Sequence, residues 1–265
     1  MKKILTALLL CLATMANAQE NENIEEMVWK CIEPHYSTDT ISGENSLEQH
    51  VRLGKKYVPD ALMGERHLAL RAEEYTKYPS GRDVELYRKT LLSGVTTDSL
   101  REKINRCFDN FKEKYGHLAK GKPAPDIEFT DKEGKIHHLS EYKGKVLFVD
   151  IWGTWCAPCI AEFPHLRAIQ EHFKDNPDVM IMSLSCDIER KPERWLPFLQ
   201  QRGDEITWHQ FMLTKEGNKV ISDVYYIFGI PHFMLIDKEG NFVSYDGPHP
   251  SLADPIKEIE KVLQK

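Results

Sequence analysis

The sequence has no excess of basic charge. Thirty-five Lys and Arg stand against 41 Asp and Glu in 265 residues, a formal net charge of −6. A chain of that sign carries no electrostatic footprint for nucleic acid, which is excluded as a partner. Long apolar runs are also missing. The run from Ile4 to Leu12 is well short of the ~20 residues that a spanning helix needs. Lys2 and Lys3 before it and Ala16-Asn17-Ala18 after it make residues 1–18 a secretory signal peptide. Cys11 raises the alternative of a lipoprotein, but Leu10 is bulky where such processing wants a small residue, and little apolar chain precedes it. Cleavage removes two lysines and no acid, so the mature chain is more acidic still. It is expected in the cell envelope, periplasmic or otherwise extracytoplasmic, with no membrane span.

Cysteine is scarce. The chain has six, and five without Cys11, an odd number for an oxidising compartment in which thiols normally pair. A second C-x-x-C and a His pair at ligand spacing are both missing, so Cys156 and Cys159 lack the two further ligands of a zinc site. His137-His138 fall on a predicted hairpin surface. No metal and no cofactor is expected.

The informative stretch is Lys145 to Pro164, KVLFVDIWGTWCAPCIAEFP. Val146, Leu147, Phe148, Val149, Ile151 and Trp152 form the near-continuous apolar run of a strand covered on both faces. Ile160, Phe163, Leu166, Ile169 and Phe173 then recur at helical spacing, which places Cys156 at a helix N-terminus. Free N–H groups and the macrodipole favour a thiolate there. Cysteines so placed have pKa values lowered from about 8.5 to roughly 3.5–7.5. Cys159, one turn inward, can close a small disulfide, with Cys156 as the attacking sulfur and Cys159 as the resolving one. Asp150 interrupts the apolar strand. It is either a structural carboxylate satisfied by backbone N–H groups or a buried acid whose raised pKa lets it exchange protons near neutral pH. Glu162, three residues after Cys159 on the same helix, either faces solvent or projects near the buried sulfur.

Asp150, Trp152, Trp155-Cys156-Ala157-Pro158-Cys159 and Ile230-Pro231 together resemble a thioredoxin fold. Glu162-Phe163-Pro164 and the leader Gly121-Lys122-Pro123-Ala124-Pro125-Asp126 narrow the resemblance to the extracytoplasmic TlpA/ResA-type thiol-disulfide oxidoreductases. It covers about residues 119 to 265. The resemblance implies that Asp150 exchanges a proton with Cys159 and that Glu162 tunes the thiols. It also implies that Ile230-Pro231 is a cis bond lying against the disulfide, its backbone free to pair with an extended client. Trp155, Ala157, Pro158, Ile230 and Pro231 would then form the client-binding surface, with Trp152 in the core. The implied partners are client proteins with disulfides and a membrane electron donor for recharging.

Elsewhere the pattern predicts an α/β sandwich, a mixed central sheet with helices on both faces, preceded by a mainly helical N-terminal region; the resemblance implies the thioredoxin-like version of that sandwich. The expected domains are 19–118, helical and of unknown role, and 119–265, thioredoxin-like. Helices are predicted around residues 27–32, closed by Pro34; over Ala61 to Tyr78, with Leu62, Leu68, Ala72 and Tyr75 buried and Pro79-Ser80-Gly81 as the stop; over Asp83 to Leu92; and over Asp98 to Tyr115, with Thr97 and Asp98 as candidate caps. Ser37 to Ser46 reads as a loop. Cys31 and Cys107 are either bridged or two buried thiols. In the second domain, hairpin turns are expected at Asp131 to Gly134 and at Asp237 to Gly240. Strands are expected at Asp178 to Cys186, Ile206 to Leu213, Phe233 to Asp237 and Phe242 to Tyr245. Helices are expected at Lys191 to Arg202, Asn218 to Phe228, and after the cap Asp254. Cys186 reads first as a buried thiol and second as a redox group.

Ala157-Pro158 puts no charge between the cysteines, and a His there would be the device of a strong oxidant. The known range runs from about −120 mV for such oxidants to about −270 mV for thioredoxin, some 7 kcal/mol. The reducing end is expected. The alternatives are a disulfide oxidase or isomerase on the same fold, or a partner-binding module whose redox pair is incidental. A peroxidase of the related peroxiredoxin type would need P-x-x-x-T-x-x-C, and Val149 and Gly153 stand at its Pro and Thr positions.

Overall fold

The structure, a computed structural model, describes residues 24–79 and 83–264. The expected signal peptide and Ser80-Gly81 of the expected helix stop lie outside them. The chain divides into two compact units, the first reaching Lys114 and the second starting at Tyr115.

The first unit is helical. Its elements are α1 (Ile24–Ile32), followed by a 3-10 turn containing Pro34, then α2 (Ser46–Tyr57), α3 (Ala61–Tyr75), α4 (Val84–Ser93) and α5 (Asp98–Tyr115). α2 is the element not anticipated from the pattern. A capping box starts it: the Asn45 side chain accepts from the N–H groups of Leu47 and Glu48, and Glu48 accepts from the Asn45 N–H. α3 ends three residues earlier than predicted. Its buried side includes Met63, Leu68 and Ala72, whereas Leu62 is 44% exposed. Position 62 lies six residues before Leu68, which turns it away from the Leu68 face at 3.6 residues per turn. Glu65, on the buried side, accepts from Thr96 N–H and Oγ1 and from Thr97 N–H, tying α3 to the turn that opens α5. Cys107 is a free thiol, so no Cys31–Cys107 bridge forms.

The second unit is a seven-stranded mixed sheet with helices on both faces. Its strands are β1 (Glu128–Thr130), β2 (Ile136–His138), β3 (Val146–Trp152), β4 (Val179–Ser185), β5 (His209–Leu213), β6 (His232–Ile236) and β7 (Phe242–Ser244). Their order is β2-β1-β5-β4-β3-β6-β7. β3 pairs in parallel with β4, Val146 opposite Val179 through Trp152 opposite Ser185, and antiparallel with β6. The hairpin turns carry Gly134 and Gly240 at φ +83° and +86°, the left-handed region that glycine enters without cost.

Alternation along β3 splits the core. Leu147, Val149 and Ile151 pack on one face with Ile221 of α9 (Lys215–Asp223). Val146, Phe148 and Trp152 pack on the other with α6 (Ala157–Ala161), α7 (Phe163–Phe173), α8 (Trp195–Gln201) and α10 (Pro255–Leu263). The helix predicted from Asn218 begins earlier, because Thr214 caps it on the N–H of Gly217. It also ends earlier, and Tyr226 at φ +53° cannot continue a right-handed helix. Gly217 is required there, since a Cβ at that position would lie 1.9 Å from the Glu128 carbonyl oxygen of β1.

Candidate active site

β3 runs into the sequence Gly153-Thr154-Trp155 and then into α6, whose N-cap is Cys156. The Cys156 sulfur accepts the N–H of Cys159 at 3.2 Å, one of the groups that a helix start leaves without an intrahelical partner. Cys156 and Cys159 are joined as a disulfide with Cα atoms 5.3 Å apart. Cys156 is 4% and Cys159 1% exposed, so Cys156 is the outer sulfur by a small margin. Ala157 and Pro158 between them are exposed. Pro158 sits in the first helical turn, where no N–H is needed.

The single continuous helix expected from Cys156 onward is broken at Glu162. Pro164 has no N–H to give the Ile160 carbonyl, and a new helix, α7, starts with Pro164 in its first turn. Glu162 therefore sits at the junction of two helices. It is not solvated: it is 7% exposed, and its carboxylate accepts from Ser251 N–H at 2.9 Å and Ser251 Oγ at 2.5 Å.

Asp150 lies on the β3 face that carries the dithiol, between Phe148 and Trp152, and is 1% exposed. Burial pushes its carboxyl up to about 7; a hydrogen bond from Ser183 pulls against that, and the Glu162 charge adds to the rise. Ser183 is the register partner of Asp150 on β4. Its Oγ donates to Asp150 Oδ2 at 2.8 Å and lies 2.7 Å from Trp208 Nε1. An indole N–H only donates, so Ser183 must accept from Trp208 and spend its own proton on Asp150. Oδ2 is thereby kept as an acceptor, which leaves Oδ1 to carry the carboxyl proton.

The turn that carries Trp155 is held by Asp187, a fully buried residue just past β4. Its carboxylate accepts from Thr154 N–H at 2.9 Å, Thr154 Oγ1 at 2.7 Å and Ser185 Oγ at 2.5 Å. Trp155 is 42% exposed with the Arg190 guanidinium 3.9 Å from its ring centre. The Ile230-Pro231 bond is cis, and the Ile230 carbonyl oxygen is 3.8 Å from Cys156 Sγ. Cys186 donates its S–H to the Trp152 carbonyl at 3.1 Å. Burial, with the Asp187 charge beside it, pushes that thiol up to about 11.

The structure thus gathers Cys156, Cys159, Asp150, Glu162 and Ile230 around one end of β3, with Trp155 on the solvent side. Ser183, Trp208, Ser251 and Asp187 were not singled out from the sequence. Ser183 had a signal: it interrupts an apolar strand four residues in, as Asp150 does, and parallel pairing sets the two side by side. Among the described residues, no group of three or more His, Cys, Asp or Glu is arranged to hold a metal ion. The arrangement offers an outer sulfur with an N–H pointed at it, an inner sulfur, and a buried acid that titrates near neutrality. That is the equipment of thiol-disulfide exchange.

Residues 120–244 match the profile of the AhpC/TSA family. The thiol-disulfide oxidoreductase ResA of Geobacillus kaustophilus is 30% identical over 141 residues, spanning 50% of this chain and 72% of its own. ResA of Bacillus cereus strain ZK is 33% identical over 146 residues, 55% of this chain and 77% of its own. Among solved structures, the crystal structure of a candidate thiol-disulfide oxidoreductase from Bacteroides vulgatus superposes with a TM-score of 0.50 at 34% identity, covering 55% of this chain and 98% of that one.

Proposed function

The chain belongs to the ResA-type thiol-disulfide oxidoreductases, with a thioredoxin-fold domain, and from that premise we propose that it reduces disulfides of client proteins outside the cytoplasm. The observation that carries this reading is the Cys156 sulfur capping α6 on the Cys159 N–H, with Asp150 buried on the same face of the sheet.

In the reduced protein the same N–H and helix start stabilise a Cys156 thiolate. The thiolate attacks one sulfur of a client disulfide; the client S–S bond breaks, a mixed disulfide forms, and the first client thiolate leaves. Cys159 then gives its proton to Asp150 and attacks the Cys156 sulfur. The second client thiolate leaves and the internal disulfide closes, two electrons having passed to the client. Glu162 acts through its charge on Asp150. Trp155, Ala157, Pro158, Ile230 and Pro231 receive the client, whose extended backbone pairs beside the Ile230 carbonyl.

The uncharged Ala157-Pro158 pair supports the reducing direction, and a membrane electron donor then recharges the dithiol. The sequence of residues 1–18 supports an extracytoplasmic site of action. The AhpC/TSA match does not extend the reading to peroxide chemistry, since Val149 and Gly153 occupy the positions that a peroxidatic cysteine requires as Pro and Thr.

Cys159→Ser should accumulate mixed disulfides, identified by mass spectrometry after non-reducing isolation. No conjugates, or equal conjugates from Cys156→Ser, would overturn the mechanism. A reduction potential near the oxidant value of about −120 mV instead of the region of about −270 mV would assign the same dithiol to disulfide formation.

A further inference from the structure

The helical unit holds a cavity remote in sequence from the dithiol. Its volume is about 230 Å³, and its apolar walls include Val28 of α1, Val51 of α2, Val58 between α2 and α3, and Leu68 of α3, all buried. Lys55 and Ala61, both exposed, border it and give it a way to solvent. Gly54 and Gly64 lie within α2 and α3 beside the same space, although glycine weakens a helix interior relative to alanine. A Cβ at Gly54 would meet nothing within 4 Å, and one at Gly64 would meet Val58 alone, at 3.8 Å. An apolar space of about 150 Å³ is enough to take up benzene, so this one admits a single substituted ring.

A hydrogen-bonded row ends at the cavity wall. A carbonyl only accepts, so Tyr36 Oη spends its proton on the Ser46 carbonyl at 3.2 Å. Tyr36 then accepts from His50 Nδ1–H, 3.1 Å away. Burial holds His50 and His67 down to about 4, neutral at pH 7, and a neutral imidazole has one N–H and one bare nitrogen. His50 Nε2 is therefore bare and accepts the Nε2–H of His67 at 2.7 Å, which leaves His67 Nδ1 bare in turn. His67 is 2% exposed and lines the cavity, and among the described residues that nitrogen has no partner. A long side chain in a helix leans over the turn N-terminal to it, and for His67 that turn carries Gly64. The charged walls are spent elsewhere: the Glu65 carboxylate accepts from Thr96 and Thr97, and Lys55 reaches the Ser93 carbonyl. A buried acceptor left without a donor is costly and uncommon.

We propose that this cavity binds a small, neutral, apolar molecule with one hydroxyl, which donates to His67 Nδ1 while the rest of the molecule lies against Val28, Val51, Val58 and Leu68. Water suits the place poorly, because an interior water needs about two to four polar partners and the unpaired side-chain atoms of these walls offer one. A carboxylate would set its lone pairs against a bare nitrogen. An ammonium would bury a charge with no carboxylate free to pair it, since Glu65 is taken by Thr96 and Thr97. The site rests on no part of the redox reading.

The full chain, with its dithiol oxidised, is titrated with phenol, and with toluene as a ring of equal size that has no donor. Side-chain ¹⁵N spectra of the histidines give the first readout. They are expected to show His50 protonated at Nδ1 and His67 at Nε2. Phenol should move the His67 Nδ1 resonance saturably in the direction of an accepted hydrogen bond, with a dissociation constant of about 1 mM or below, and toluene should bind without that shift. Calorimetry gives the two affinities. His67→Phe keeps the bulk of the ring and removes the acceptor, and it is expected to lower the ratio of phenol to toluene affinity at least ~5-fold, the cost of a buried hydroxyl with no partner. Gly64→Leu puts a side chain into the space with a better helix former and is expected to abolish binding of both. Circular dichroism verifies the fold of each variant, and the wild-type spectra with Gly64→Leu decide if His67→Phe does not fold. The opposite tautomers, a His67 Nδ1 resonance unmoved by phenol, an unchanged affinity ratio in folded His67→Phe, or full binding in folded Gly64→Leu would each overturn the assignment.

Discussion

Ser183→Ala is the most direct probe of how the buried acid is set. In the wild type, Ser183 donates to Asp150 Oδ2 at 2.8 Å and so favours the ionised carboxylate against the burial that raises its pKa to about 7. A hydrogen bond to a charged group contributes about 1.5–3 kcal/mol, and about 1.4 kcal/mol corresponds to one pH unit. Without the hydroxyl, Asp150 should titrate near pH 8 to 9. The assay is stopped-flow reaction of the reduced protein with the chromogenic disulfide 5,5′-dithiobis(2-nitrobenzoate). The first released thiolate reports attack by Cys156 and the second reports resolution by Cys159. The second phase in the wild type is expected to rise with a midpoint near pH 7. In the variant the midpoint should move up, so that resolution at pH 7 slows roughly five- to fifty-fold, the drop in the ionised fraction for a one- to two-unit rise. Above about pH 9.5 the two should converge, once both carboxyls are ionised. The variant also leaves the Trp208 N–H without its acceptor, at a cost of about 1–3 kcal/mol, so its fold is verified by circular dichroism. An unchanged midpoint, or a deficit that persists at high pH, would refute the reasoning.

Glu162→Gln removes a charge that raises the Asp150 pKa, so the same midpoint should move down, opposite to Ser183→Ala; movement upward would contradict the geometry. Asp150→Asn should abolish the midpoint and stabilise the protein at neutral pH. The folded carboxyl keeps its proton to about pH 7, whereas the unfolded chain releases it near pH 4. Between those values only the unfolded state loses protons, and wild-type stability falls by about 4 kcal/mol as pH rises. The gain in denaturant midpoint should therefore be full at pH 8 and vanish at pH 4, and a gain independent of pH would rule the cause out. Gly217→Ala forces a Cβ against the Glu128 carbonyl and should cost about 3 kcal/mol in urea unfolding; a neutral substitution would mean that β1 and α9 are not in register as described.

The strand, turn and helix around the dithiol were legible because their signals are local. The change of period just past Cys156 and the two cysteines lie within one short stretch, and the hairpins announce themselves through Asp and Gly at fixed offsets. α2 was not read, although Asn45 and Glu48 are three apart as a capping box requires. Its buried face contains His50 beside Val51 and Leu53, and a histidine in that position looks like solvent-facing chain until His67 is seen opposite it. The helix start expected at Asn218 left out Gly217, which lies inside the helix and marks its close approach to a strand. Asp187 and Ser251 were out of reach for a different reason. Each acts on a residue at least 33 positions away, and no periodicity encodes which carboxylate meets which loop.

β3 is hydrogen-bonded along both edges, to β4 over its full length and to β6 from Leu147 to Ile151, and every residue in it is buried. Its amides have no route to solvent short of tearing the sheet apart, so they should be the last in the unit to exchange deuterium. The redox centre is anchored to that strand, so on heating, catalytic competence and the tertiary structure of the unit should disappear in one step, with no warmed state in which the fold persists and the dithiol has already lost its alignment.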